Sequence, residues 1–166
     1  MLFRSAIDLI EQGKDTEEIV KELEKFVPQV RLYGIFEDPK WLEASGRISS
    51  TLANWFRRMQ KIGVRPILGI KKGVIKAVGI KAGAKDIPTA LFHQFEAKTK
   101  KLRNQGKKIR VAITHGDNLE MAQRLKGMIE NEFKEVVEVA FVSLIDNVLG
   151  VLVGPDALVI AWSEIT

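Results

Sequence analysis

The chain has no cysteine. Disulfides, thiol nucleophiles and cysteine-ligated zinc are therefore excluded, and a reducing compartment suits it. Histidine is scarce: only His93 and His115 occur, with no metal-ligand spacing. Long apolar runs are missing too. The longest, Val148 to Val153, contains Gly150 and falls far short of the roughly 18 residues that span a bilayer. Met1-Leu2-Phe3-Arg4-Ser5 lacks the cationic-then-apolar order of a signal peptide. These absences predict a soluble, cytoplasmic protein with no membrane span. Acids are thin in the middle of the chain. From Arg57 to Arg110, 16 Lys or Arg face only Asp86 and Glu96, so the middle carries +14 and the flanks −9 within a net charge of +5. A basic centre attracts an anionic partner or is simply a solvated face. Aromatics make up 7% of residues and form no base-stacking set, so nucleic acid is not an expected partner.

What is present suffices for one buried core: 166 residues, 46% of them apolar and 28% charged. Ala6, Ile7 and Ile10 read as a short helix stopped by Gly13. Asp15 and Glu18 have capping-box spacing before a second helix carrying Ile19, Val20, Leu23 and Phe26, closed by Pro28. Val30 to Phe36 reads as a strand. Pro39 to Ala44 is a short helical turn. Ser49, Ser50 or Thr51 caps a helix running to about Lys61 with Leu52, Trp55, Phe56 and Met59 on one face. Pro66 to Ile70 and Val74 to Ile80 read as a hairpin around Lys71-Lys72-Gly73. Asp86 opens a long helix ending near Gly106. Ile109 to Thr114 is a strand, Asp117 and Glu120 cap the next helix, and Val136 to Phe141 is a strand. Leu144 to Val153 fits either element. Gly154-Pro155-Asp156 turns into a last strand, Ala157 to Trp162. This order predicts one α+β domain over residues 1–166: a two-layer sandwich with a mixed, largely antiparallel sheet packed against helices.

Ser45-Gly46-Arg47-Ile48-Ser49-Ser50 is the first motif with chemical content. Glycine permits a tight turn, arginine offers a planar charge for a carboxylate or phosphate, and the following helix start offers free N–H groups. The same residues also make a helix cap beside a solvated arginine. Thr114-His115-Gly116-Asp117-Asn118 stands at a strand-to-helix junction, where His115 and Asp117 suggest acid–base chemistry and capping alone also explains them. Lys81-Ala82-Gly83-Ala84-Lys85 lacks the glycine-lysine-serine/threonine ending of a nucleotide-binding loop. No nucleophile triad, paired-carboxylate site, metal spacing or dinucleotide fingerprint emerges, so neither catalytic residues nor a cofactor or metal are expected.

Trp41-Leu42-Glu43-Ala44-Ser45-Gly46-Arg47-Ile48-Ser49, followed by Val64-Arg65-Pro66-Ile67-Leu68, resembles the signature of the DegV family of bacterial fatty-acid-binding proteins. That family usually carries leucine-x-x-glycine-glycine-arginine-isoleucine-serine and then isoleucine-lysine-proline-isoleucine-leucine. The resemblance covers the C-terminal domain of the family, not its N-terminal domain, which supplies hydroxyl groups to the lipid carboxylate. It implies a DegV C-terminal-domain-like fold and a module forming the lid and acyl-chain side of a long-chain fatty-acid or similar lipid carrier, without enzyme activity of its own. It implies ligand-binding roles for Gly46, Arg47 and Ser49, with Ile48, Leu52, Trp55 and Phe56 as candidate tunnel lining. Val151 to Leu158 aligns with the family's histidine-x-glycine-proline-glycine-alanine-leucine, which adds Leu152 and Gly154 to the ligand-binding set. Here Leu152 stands in place of the histidine and Asp156 in place of the second glycine. Ser45 replaces the first glycine of the arginine motif, and Lys81 a family arginine. The partners implied are a kinase, a separate N-terminal-domain protein, or a second copy of the chain. The alternative reading is a protein-interaction or regulatory domain that has lost lipid binding or needs a separate N-terminal-domain partner.

Overall fold

The computed structural model describes residues 2–71, 73–83 and 86–165. Two helices come first, α1 (Leu2–Glu11) and α2 (Thr16–Phe26). Gly13, at φ +76°, ends the first. The Asp15 carboxylate accepts from the Glu18 N–H at 2.9 Å and Glu18 accepts from the Asp15 N–H at 3.3 Å, the expected reciprocal cap. A 3-10 turn, Val27–Gln29, holds Pro28 and leads into β1 (Arg31–Ile35). Then follow α3 (Lys40–Ala44), α4 (Ser50–Lys61), β2 (Val64–Lys71) and β3 (Val74–Ala82). After these come α5 (Ile87–Asn104), β4 (Ile109–His115), α6 (Leu119–Phe133), β5 (Val137–Leu144), α7 (Asn147–Val153) and β6 (Leu158–Glu164). The hairpin lies where the sequence placed it, with Gly73 at φ +75°, although Lys72 is outside the described residues, as are Ala84 and Lys85 of the 81–85 loop. The ambiguous stretch from Leu144 splits. Asp146 accepts from the N–H groups of Val148 and Leu149, both at 3.0 Å, and so starts α7.

The strands form one mixed, largely antiparallel sheet in the order β3-β2-β1-β6-β4-β5, with β4 and β5 its one parallel pair. Strand residues alternate between its faces. Ile35, Ile67, Ile113, Ile160 and Trp162 pack with α5 and α6 in the larger core. Leu68 and Val159, on the other face, join Leu42, Ile48, Phe56 and Val153 from the α3, α4 and α7 region. That smaller helical group adds cover to part of the second face.

One local expectation changes. The α6 cap is Asn118, whose side chain accepts from the Met121 N–H at 3.1 Å. Asp117 stands one residue earlier at φ +55°. Gly116 exchanges backbone hydrogen bonds with Ala157 and Asp156 at 2.8 and 2.7 Å, so the bend falls on Asp117, a residue type that tolerates it. On α1, which forms as expected, Ile7 and Ile10 point to solvent, at 46% and 60% exposure, while Ser5 and Leu9 are buried. The cause is Arg110, a 7% exposed guanidinium on β4 that pairs with Asp8. An unpaired buried charge would be so unfavourable that Asp8, not Ile7, faces the sheet.

Candidate functional site

The segment from Trp41 to Ser49 is pinned at both ends. After α3, the Gly46 N–H donates to Glu43 O at 3.0 Å, and the Arg47 and Ile48 N–H groups both donate to Leu42 O at 2.9 and 3.3 Å. This closure requires a left-handed residue, and Gly46 supplies it at φ +69° in open space. Ile48 is buried in the second cluster. The Ser49 hydroxyl accepts from the Leu52 N–H at 3.3 Å and caps α4. Between these anchors Arg47 is exposed, and among the described residues it has no carboxylate partner. The neighbouring Arg57 is already committed to Glu43 at 2.6 Å, and that hydrogen bond holds the Glu43 carboxyl below its ordinary range. An exposed unpaired guanidinium beside the first N–H groups of α4 can receive an anion.

The second motif meets the first across the fold. Gly154 ends α7 at φ +76°, its N–H donating to Gly150 O at 2.9 Å. A Cβ there would overlap the Trp41 indole, so only glycine fits. Trp41 itself is 38% exposed, with Lys40 Nζ 5.0 Å from its ring. Val153 and Ala157 join Leu42 and Ile48 in one cluster, and half-buried Leu152 packs against it alongside Leu52 and Trp55. Arg47 and Ser49 flank buried Ile48 along the chain, with Gly46 one residue before, and Leu152 and Gly154 flank buried Val153, so both motifs adjoin one cluster. Of the expected tunnel residues, Ile48 and Phe56 are buried core; Leu52 and Trp55 keep partial access to solvent.

Other sequence candidates stand apart. Asp156, at φ +57°, accepts from the Asn118 side-chain amide at 2.8 Å, so its carboxylate is engaged at the α6 cap. His115 pairs with Leu158 on the face covered by α5 and α6, and its Nδ1 accepts from the Asn118 N–H at 3.1 Å. His93 is exposed on α5, 3.6 Å from Glu96. Lys81 lies on β3 opposite Arg65. Among the described residues no His, Asp or Glu group could hold a metal ion, and no helix is long and apolar enough to cross a membrane. Sequence reading missed the Trp41–Gly154 seat. Gly154 before Pro155 marks a constrained position at a helix end, but nothing local to either residue pairs it with Trp41.

The family model for the uncharacterised DegV proteins matches residues 1–164. The chain belongs to the DegV family. No curated protein matches it. Among solved structures, a DegV family protein from Eubacterium eligens, loaded with heptadecanoic acid, is 20% identical and superposes with a TM-score of 0.77 over 99% of this chain and 56% of that one. DegV of Bacillus subtilis, a fatty acid binding protein, is 25% identical with a TM-score of 0.73, covering 96% of this chain and 54% of its own. The Streptococcus pneumoniae Fatty Acid Kinase (Fak) B3 protein, loaded with linoleic acid, is 18% identical with a TM-score of 0.73 over 99% of this chain and 55% of that chain. The chain spans about half the length of the solved DegV structures it matches.

Proposed function

We propose that this DegV chain is a lipid-binding module that supplies the lid and acyl-chain side of a fatty-acid carrier. One observation carries the reading: the arginine motif and the glycine–proline motif converge on one apolar cluster with half-buried Leu52, Trp55 and Leu152 at its margin. Bound fatty acids in the Eubacterium and Streptococcus relatives support the ligand class. Arg47 receives the carboxylate, Gly46 and Ser49 hold the arginine and the α4 start in place, Gly154 seats Trp41, and Leu152 lines the acyl chain. Each buried methylene is worth about 0.8 kcal/mol, so a long chain binds even where leucine replaces a hydrogen-bond donor. The second half of the site comes from the family's N-terminal domain, whether carried on the same polypeptide or on a partner, and a kinase acts on the carried acid; the residues of this chain bind and position the acid rather than transform it.

Native mass spectrometry with and without oleate tests this. The expected outcome is an adduct of one fatty-acid mass, lost or weakened about tenfold in Arg47→Ala, as for loss of one charge-assisted hydrogen bond. No adduct at tens of micromolar oleate would overturn independent binding. A protein-interaction reading then takes over. It is favoured by α7, where Val148 and Val151 are 76% and 73% exposed.

A further inference from the structure

On the sheet face that carries α5 and α6, remote from Arg47, a groove of about 310 Å³ opens between β1 and the C-terminal half of α5. Its floor is the half-buried Tyr33 ring, held edge to face at 4.7 Å by Trp162, which is itself only 2% exposed and is braced from behind by Phe95 at 5.5 Å. Tyr33 also lies across Gly69, where a Cβ would come within 2.9 Å of its ring, so the ring has one seat. Leu102 adds an apolar wall. The rim is cationic. Arg31 Nη1 donates to Pro28 O at 2.6 Å and to Val30 O at 3.3 Å, which fixes the guanidinium and leaves Nη2 and Nε without an acceptor among the described residues. Lys98 stands across the groove, also without an ion pair among the described residues. The lining's one acid, Glu164, is neutralised by Lys107 at 2.7 Å. By contrast, the cavity under α1 holds about 10 Å³, room for a single water.

We propose that this groove is a second binding site, for a small aromatic anion such as a carboxylate or phosphate monoester. A fixed guanidinium takes an oxyanion through its free donors and stacks on a ring, an ammonium closes the other side, and an aromatic floor accepts a flat body. The volume sits at the lower end of the small-ligand range, about 300–1,000 Å³. The site does not depend on lipid binding at Arg47.

Titration of the full chain with phenyl phosphate, followed by NMR, tests it. Saturable shifts of the Trp162 indole N–H and of the Arg31 side chain are expected, with affinity reduced about tenfold in Arg31→Ala and less in Lys98→Ala. Both side chains are at the surface, so the variants keep the fold, and Arg47→Ala binds phenyl phosphate as the parent does. Cyclohexyl phosphate binds more weakly. Linear, unsaturable shifts, a response centred on Arg47, or an Arg31→Ala titration matching the parent would each overturn the proposal.

Discussion

At the scale of single residues, two glycines with nearly the same backbone angle have different reasons to be glycine. Gly46 and Gly154 sit at φ +69° and +76°, but a Cβ meets nothing within 4 Å at the first and collides with the Trp41 indole at the second. Alanine at 46 should therefore cost only the left-handed conformation, about 1 kcal/mol. At Gly154 a ψ of 179° puts the backbone in a region open essentially to glycine alone, so alanine there should cost that strain plus overpacking, about 2–6 kcal/mol in all. Urea denaturation of the two variants checks the difference; equal midpoints would mean that Trp41 yields freely. The sequence made both glycines conspicuous. It did not reveal the collision, because Trp41 and Gly154 meet only through the packing of α3 on α7.

At the scale of elements, caps explain most of what was legible. Asp15, Ser49 and Asp86 stand at helix starts, and each accepts the predicted backbone N–H. Asp86 also pairs with Arg124 at 2.6 Å. Partial burial pushes its carboxyl up, but hydrogen bonds from Thr89 and the Arg124 partner outweigh this and hold it below the ordinary aspartate range. A depressed folded-state value means that Asp86 contributes stability above the unfolded value of about 3.9, lost as pH falls through the lower folded one. Asp86→Ala should lose about 1 kcal/mol at pH 7 and progressively less in the acid range. Thermal melts from pH 7 to pH 3 check the convergence; a constant gap would sink it. Elements set by competition were less legible. Leu144 to Val153 is apolar apart from Asp146 and Asn147 and carries no period, so only Asp146 marks where strand gives way to helix. Asp117 has the right chemistry for a cap, yet Gly116 and its backbone partners move the cap one residue on.

At the scale of the whole molecule, the least legible feature is the tie between Asp8 and Arg110, 102 residues apart. It turns α1 so that Phe3 is 89% exposed while a polar side chain faces the sheet. Periodicity cannot anticipate this, because the partner that decides the orientation lies on another element. Glu138, 3.4 Å from the same guanidinium, completes the arrangement. Asp8→Ala should destabilise by about 2–3 kcal/mol, a discount on the fully buried case because Asp8 reaches solvent. Asp8→Leu combined with Arg110→Met should restore most of that loss. A double-mutant cycle in urea decides the matter, and a double variant weaker than the single one would refute the account. The family signature and the α+β class were legible because both rest on local residue patterns. The groove at Tyr33 was not, since its walls come from β1, α5 and β6.

The strand order also sets a timetable for synthesis. β6, the latest of the six strands along the chain, lies between β1 and β4. The β1–β2–β3 meander and the β4–α6–β5 unit can each form as they leave the ribosome, and α5 packs against both, but no strand pairing joins them until β6 arrives. Trp162, which holds Tyr33 at the groove floor and belongs to the larger core, comes with β6. A nascent chain therefore carries two half-sheets with open edges, the kind of surface that attracts chaperones, until β6 emerges.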